Sequence, residues 1–263
     1  DILPQHPTPS LMDSSFNKWI TCPHPSPSSC IRLFCLPFAG GGASLFRLWG
    51  RTLSPAVEVC PIQLPGREAR VSEPPYTSLQ GVVENLAFQI RPYLQKPFAL
   101  FGHSMGAIVA FELARCLRRQ KDPLPQVLFL SAHRAPHLPL KRRKLHQLPE
   151  LEFIRELRRL GGTPAAVFDH QDLLDFILPT LRADFTICDT YHFTPEPPLD
   201  CLLIPCAGLD DREAPSAEVA AWQMHTTQPC SLHEFAGNHF FLQSHRDPLL
   251  QTIATTLARS RTS

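Results

Sequence analysis

Short apolar runs that stop at Gly, Pro or a small polar residue punctuate this chain: "IRLFCLPF" (31–38), "VEVCPIQL" (57–64), "FALFGH" (98–103), "QVLFLSA" (126–132), "CLLIPCAG" (201–208) and "SLHEFAG" (231–237). Runs of this length, apolar throughout rather than alternating, read as parallel strands buried on both faces. Between them the period changes. "TSLQGVVENLAFQIRPYLQ" opens on a Thr77-x-x-Gln80 capping box and then places Leu79, Val82, Val83, Leu86 and Ile90 three and four apart, which predicts an amphipathic helix. "AIVAFELARCL", directly after the third run, predicts another. Strand and helix therefore alternate, and the expected fold is α/β: a mostly parallel twisted sheet with helices on both faces.

The alternation fails once. From about Pro136 to Pro198 no strand pattern appears, only helical stretches such as "LPELEFIRELRRL" and "DLLDFILPTLRADF". A segment of roughly sixty residues is too long for a plain loop, so a helical cap inserted between two strands is expected at 136–198. Its place matters because such sheets bind ligands at the carboxyl ends of their strands. Residues 1–30, with "TCPHPSPSSC", are rich in Pro and Ser and show no periodic apolar face, so they are expected to form an extended tail. The remainder, 31–263, is expected to be one domain.

Composition narrows the partners. Lys plus Arg number 25 against 24 acidic residues, a formal net charge of +1, so the chain exerts no general pull on nucleic acid or acidic membranes. No apolar run approaches the ~20 residues of a bilayer span, and the first residues lack the basic-then-apolar arrangement of a secretory signal. Nine cysteines, scattered through apolar contexts and without a C-x-x-C pair, suit buried thiols in a reducing compartment. A cytoplasmic monomer is expected, bound neither to nucleic acid nor to membrane.

The chemistry begins at "FGHSMGAIVAF". G-x-S-x-G alone is weak: with Gly and Ser each near 7 % of residues, on the order of one chain in ten of this length holds it by chance. Here, however, Ser104 falls where a strand must turn sharply into a helix, as a nucleophile elbow requires. Serine needs a base, and the base needs an orienting acid, in the chain order Ser, Asp or Glu, His. "CLLIPCAGLDD" places Asp210 and Asp211 just past one strand end, and "HEFAGNHFF" places His239 just past the last. His233 and His245 are the alternative bases, one inside the strand and the other opening the final helix. The first strand ends in "PFAGGGAS", a loop able to aim the Ala39 N–H, or alternatively that of Phe38, at a carbonyl oxygen, with Met105 N–H as second donor. The same glycines lack the spacing of a dinucleotide fingerprint and the Lys of a Walker loop.

Together "PFAGGGASLFRLW", "IQLPGREARVSEP", "FGHSMGAIVAFELA", "APHLP", "GGTP", "LPTLRADF" and "FAGNHFFL" resemble the type II thioesterases, the stand-alone α/β-hydrolases of fatty-acid, polyketide and nonribosomal-peptide synthases. The resemblance runs from about Ile31 to the C-terminus. It implies Ser104 as nucleophile, Asp211 as acid, His239 as base, the helical insertion as lid, and no cofactor or metal. It departs from the family pattern in the doubled Asp at 210 and 211, and at His133, where a small or basic residue is expected. The implied substrate is an acyl or aminoacyl thioester on the phosphopantetheine arm of a carrier protein, with acyl-CoA as a surrogate. A carboxylesterase or lipase would use the same triad. The dense basic run Lys141, Arg142, Arg143 and Lys144 reads either as a docking patch for an acidic carrier protein or as a solvated loop.

Overall fold

The computed structural model describes residues 16–260. Six strands, β1 (Ile31–Leu36), β2 (Val57–Pro61), β3 (Phe98–His103), β4 (Val127–Ser131), β5 (Leu202–Gly208) and β6 (His233–Phe235), form one sheet in the order β2-β1-β3-β4-β5-β6. Every neighbouring pair is parallel. The helices are α1 (Trp49–Leu53), α2 (Leu79–Ile90), α3 (Met105–Gln120), α4 (Glu150–Leu160), α5 (Gln171–Thr190), α6 (Ser216–Ala220), α7 (Phe241–Ser244) and α8 (Arg246–Arg259).

Alternate strand residues serve opposite faces, as the two-residue strand period demands. Phe34, Leu36, Phe98, Leu100, Leu128 and Leu130 pack under α2 and α3. Leu33, Cys35, Ala99, Phe101, Val127 and Phe129 pack on the other face with α1 and α8. All six expected strands are present; β3 spans the whole of its run and the other five are one to four residues shorter than theirs. The helix predicted from the capping box begins one residue later than expected: Ser78, not Thr77, is the cap, its Oγ accepting from the Gly81 N–H at 3.1 Å.

The first part of the chain departs further from expectation. Residues 1–15 lie outside the described residues, but 16–30 do not form a free tail. Trp19 and Ile20 are buried in the core, and Ile20 bridges Ile62 in antiparallel sense. Thr21 N–H donates to Pro61 O, and Gln63 N–H to Trp19 O. This short segment covers the outer edge of β2, whose backbone groups would otherwise face water or another chain. Two apolar residues against an edge are too few to produce a periodic signal. The Arg70 guanidinium, 4.3 Å from the centroid of the Trp19 ring, closes the contact.

Between β4 and β5 the chain makes the helical excursion that the pattern predicts, carried by α4 and α5. Leu145, Phe153, Leu157, Leu178, Leu181 and Phe185 give it a small apolar cluster of its own. Pro179 sits inside α5 without ending it. Among the described residues no helix is long and apolar enough to cross a membrane. All nine cysteines are free thiols, five of them buried.

The chain runs outward from β1 to β2 and then returns to the other side of β1 as β3. The ligand-binding crevice expected of such a sheet, where the strand order reverses, therefore opens between the carboxyl ends of β1 and β3. There Leu36 is paired with Gly102, and the start of α3 crosses directly above. A Cβ on Gly102 would strike the Gly106 carbonyl, and one on Gly106 would strike the Leu36 carbonyl. Both obstacles are backbone, so neither can swing aside. We expect Gly106→Ala to cost about 3 kcal/mol or more in urea unfolding. Gly161→Ala, where a Cβ meets open space but φ is +78°, should cost only about 1 kcal/mol. Equal losses would show that the crossing makes no special demand for glycine at 106.

Candidate active site

Ser104 stands between β3 and α3 with φ 53° and ψ −117°, a conformation that L-residues avoid. Its strain is held from two sides: Ser104 N–H donates to Ser131 O of β4 at 2.8 Å, and Ala107 N–H donates to Ser104 O at 2.9 Å. The hydroxyl is thereby thrust out of the sheet. Among the described residues, His239 is the histidine that meets it, with Nε2 3.0 Å from Oγ. On the other side of the ring, His239 Nδ1 lies 2.8 Å from Asp211 Oδ2. A carboxylate only accepts, so Nδ1 carries the proton and Nε2 turns its lone pair to the serine hydroxyl.

Asp211 is buried, and its second oxygen, Oδ1, accepts from the backbone N–H groups of Glu213 (2.8 Å) and Ala214 (3.1 Å). Both oxygens are therefore satisfied, which keeps the carboxylate in one orientation. Asp210 beside it is exposed. The doubled Asp of the sequence thus resolves geometrically in favour of position 211. His233 lies in β6, and His245 bonds Ser244 Oγ at 3.0 Å; among the described residues neither is bonded to Ser104 or Asp211.

Neighbours outside the motif hold the His239 loop. His103 is completely buried, which pushes its pKa well below the usual imidazole value, with the nearby His239 adding to the effect. It is neutral, its Nε2–H donates to the His239 backbone carbonyl at 2.7 Å, and its Nδ1 accepts from the Ser131 hydroxyl at 2.9 Å. The residue before the serine therefore ties the backbone of the residue that faces the serine. Sequence reasoning passed over His103, although its place inside "GHSMG" could have drawn attention.

The loop after β1 supplies N–H groups at the same place. Gly40, with φ +80°, and Gly41 commit theirs: Gly40 N–H to Asp184 Oδ2 at 2.7 Å and Gly41 N–H to Phe38 O at 2.9 Å. Among the described residues the N–H groups of Phe38 and Ala39 have no partner, and both residues line the cavity at Ser104. Met105 opens α3, so its N–H has no intrahelical acceptor. Asp184 itself belongs to α5 and forms a two-pronged pair with Arg67, Nη1 to Oδ2 at 2.6 Å and Nη2 to Oδ1 at 2.8 Å, while Nη1 also reaches Gly41 O at 3.2 Å. Both side chains are buried. The helical insertion is thus bolted to the glycine loop through one carboxylate.

The cavity above Ser104 has a volume of about 510 Å³ and lies between the strand ends and the insertion, with Leu157, Leu181 and Phe185 on its apolar wall. His133 and Arg134, following β4, face it from the opposite side. His133 is held neutral, its pKa pushed down to about 3 chiefly by burial, and its Nδ1–H donates to Arg134 O at 2.6 Å. Cys188 also lines it; burial pushes that thiol up to about 12.

A parallel sheet of this order, with a Ser–His–Asp hydrogen-bond chain at the carboxyl ends of its strands, has the architecture of the α/β-hydrolases. Within that class the family is specific. Residues 31–257 match the family model described as "Thioesterase domain". The chain is 43 % identical over 244 residues to a Brevibacillus parabrevis protein named "Linear gramicidin dehydrogenase LgrE", covering 92 % of this chain and 93 % of that one. It is 39 % identical over 244 residues to "Thioesterase PikA5" of Streptomyces venezuelae, covering 92 % and 86 %. The solved structure of the type II thioesterase BorB from the borrelidin biosynthetic cluster superimposes with a TM-score of 0.84 at 37 % identity, covering 92 % of this chain and 99 % of that one. The chain belongs to the type II thioesterases, hydrolases of thioester bonds.

The Arg67–Asp184 pair generates a stability test. Asp184→Ala leaves a buried guanidinium without its anion and is expected to cost about 3–5 kcal/mol in urea unfolding. The double variant Arg67→Met/Asp184→Leu, which removes both charges, should recover much of that loss. A double variant worse than the sum of its parts would contradict this reading.

Proposed function

We propose that Ser104, His239 and Asp211 are a catalytic triad that hydrolyses acyl or aminoacyl thioesters carried on the phosphopantetheine arm of synthase carrier proteins. The observation that carries this is the position of His239, 3.0 Å from Ser104 Oγ and 2.8 Å from Asp211 Oδ2 at the floor of a cavity. In the first half-reaction His239 Nε2 takes the hydroxyl proton as Oγ attacks the thioester carbonyl. The oxyanion that develops is met by the N–H groups of Met105 and Ala39, with Phe38 as the alternative to Ala39. On collapse the C–S bond breaks and the thiolate takes the proton back from His239. A thiol of pKa about 8.5 leaves more readily than an alcohol. In the second half-reaction water, deprotonated by the same nitrogen, attacks the acyl-serine carbonyl, and Ser104 departs reprotonated. Asp211 holds the imidazole in the required tautomer throughout and stabilises its transient charge.

In this reading residues 31–263 are the hydrolase domain, and the insertion at 136–198 is a lid that excludes water and shapes the acyl site. The carrier-bound substrate is supported by relatives whose names point to such pathways: the borrelidin biosynthetic cluster for BorB and, at 32 % identity, the human "S-acyl fatty acid synthase thioesterase, medium chain". The name of LgrE suggests a dehydrogenase instead. Against carrying that activity over, the glycine loop here lacks dinucleotide spacing and its Gly40 N–H is committed to Asp184. An oxygen-ester hydrolase would use the same triad, and the substrate comparison below separates the two.

Docking by the basic run narrows on structural grounds. Lys141 pairs with Glu218 (2.5 Å), Arg142 with the buried Asp189 (2.8 Å) and Arg143 with Glu152 (2.9 Å). Arg143 and Lys144 are exposed and are the two we assign to steering an acidic carrier.

Ser104→Ala should lower kcat by roughly 10⁶, as in hydrolases whose triad acts as a unit, and should abolish labelling by a fluorophosphonate. Asp211→Asn should cost far more activity than Asp210→Asn. Unlabelled Ser104 in folded wild-type protein would sink the triad. Rates for one acyl group on carrier protein, on CoA and as an oxygen ester test the substrate class; faster turnover of the oxygen ester would favour an esterase. Reversing Arg143 and Lys144 to Glu should reduce kcat/KM for the carrier-bound acyl group and spare acyl-CoA, and equal losses on both would rule out docking there.

A further inference from the structure

The charges on the cavity wall do not balance, and the imbalance has a location. Five cations line the cavity: Arg134, Lys141, Arg142, Arg159 and Arg212. Three are matched, Lys141 by Glu218, Arg142 by Asp189 and Arg159 by Glu213 at 2.7 Å. These are also the carboxylates that approach this wall, so none is left over. Arg212 is exposed to water. Arg134 differs from all of these. It is partly buried, and its one hydrogen bond is from Nε to Leu138 O at 3.2 Å. Among the described residues it has no ion pair and no aromatic ring beneath it, and both terminal nitrogens are without a partner on a residue that lines the cavity. Burial, and then the neighbouring Arg142, lower its pKa, so its charge sits in a place that disfavours it.

A partly buried guanidinium whose two terminal nitrogens are unpartnered can receive an oxyanion through two parallel N–H···O bonds. We infer that Arg134 is a specificity-determining group that binds an anion carried by the substrate inside the cavity of Ser104, a carboxylate on the acyl chain or the phosphate of the phosphopantetheine arm. This rests on the thioesterase reading of the site. It makes the enzyme favour dicarboxylic half-thioesters, or the phosphorylated arm, and disfavour acyl groups bearing a free ammonium. Neutral His133, its Nδ1–H committed to Arg134 O, offers no second positive charge, so the selectivity falls to one residue.

The test uses matched ligands. Malonyl and isovaleryl groups have the same shape, a carboxylate in one replacing an isopropyl in the other. As amides of N-acetylethylenediamine, in which nitrogen replaces the thioester sulfur, they do not turn over, and their dissociation constants can be measured directly. An isovaleryl amide on analogues of pantetheine and 4′-phosphopantetheine whose terminal thiol is replaced by an amine gives the second pair. In Arg134→Met at least one of the two affinity ratios, charged over neutral, should fall about tenfold or more relative to wild type. Arg134→Lys, which keeps the charge and loses the fork, should lie between. A fall in the malonyl ratio assigns the anion to the acyl chain, and a fall in the phosphopantetheine ratio assigns it to the arm. Both ratios unchanged, in a variant whose melting curve matches wild type, would overturn the inference. Turnover of the isovaleryl thioester is followed separately: its absence in wild type would sink the thioesterase reading, while the affinity ratios would still decide the role of Arg134.

Discussion

Three backbones meet at one point in this protein, and the site is a consequence of how closely they approach. The end of β1, the end of β3 and the first turn of α3 cross where Gly102, Gly106 and the Leu36 carbonyl touch, leaving no room for a Cβ at either glycine. To start α3 there the chain must reverse within one residue, and that residue takes φ 53°. Such a conformation costs on the order of 1–3 kcal/mol and persists only when its surroundings over-determine it. Here they do, because β3 lies in the middle of the sheet and α3 is covered by α2 and the insertion. The same crossing puts the first free N–H of α3 and the loop after β1 on one side of Ser104. The exposed serine and the unpartnered N–H groups beside it therefore follow from a single packing constraint.

The base and acid are brought to that point by a different means. β5 and β6 end beside each other, and Asp210 N–H donates to Gly237 O at 2.9 Å between the loops that follow them, so Asp211 and His239, 28 residues apart in sequence, become neighbours. What is special is the bracing. Asp211 receives two backbone N–H groups, and His103 reaches across from the nucleophile strand to hold the His239 carbonyl. A neutral His103 suits both of its bonds, since Nε2–H donates to that carbonyl while Nδ1 accepts from the Ser131 hydroxyl. Protonated, it would set a charge beside the His239 ring, and burial prevents this. The Arg67–Asp184 pair braces the glycine loop in the same way, but from the insertion, so any movement of α5 is felt by the loop that flanks the oxyanion position.

This division explains which parts of the molecule were legible in the sequence. Strands, their order of connection and the elbow depend on local pattern: a run of apolar residues, a glycine on each side of a serine, a change of period. Asp211 and His239 were legible because topology places strand ends together, and a residue just past a strand end inherits that address. Arg67 and Asp184, separated by 117 residues, carry no local mark of their pairing. Arg67 sits in a loop and Asp184 on a helix face, each indistinguishable by type from a solvated charge. Trp19 and Ile20 were missed for a related reason. Their partner is the edge of β2, and one bridge leaves no period to read.

Two nucleophile types face the cavity, and the arrangement selects between them. A cysteine is the better intrinsic nucleophile, and Cys188 lines the same space as Ser104. Its reactivity depends on the thiolate, however, and burial pushes its pKa up to about 12, so only about one molecule in 10⁵ carries the thiolate at neutral pH. Among the described residues no hydrogen bond gives it a base. Ser104 has an imidazole lone pair at 3.0 Å, with the opposite ring nitrogen fixed by a carboxylate. General base assistance is worth roughly 10²–10⁴ in rate, and among the described residues an imidazole is placed to give it at the serine. In the proposed mechanism the choice of oxygen over sulfur is therefore made by where His239 stands rather than by the chemistry of the two side chains alone.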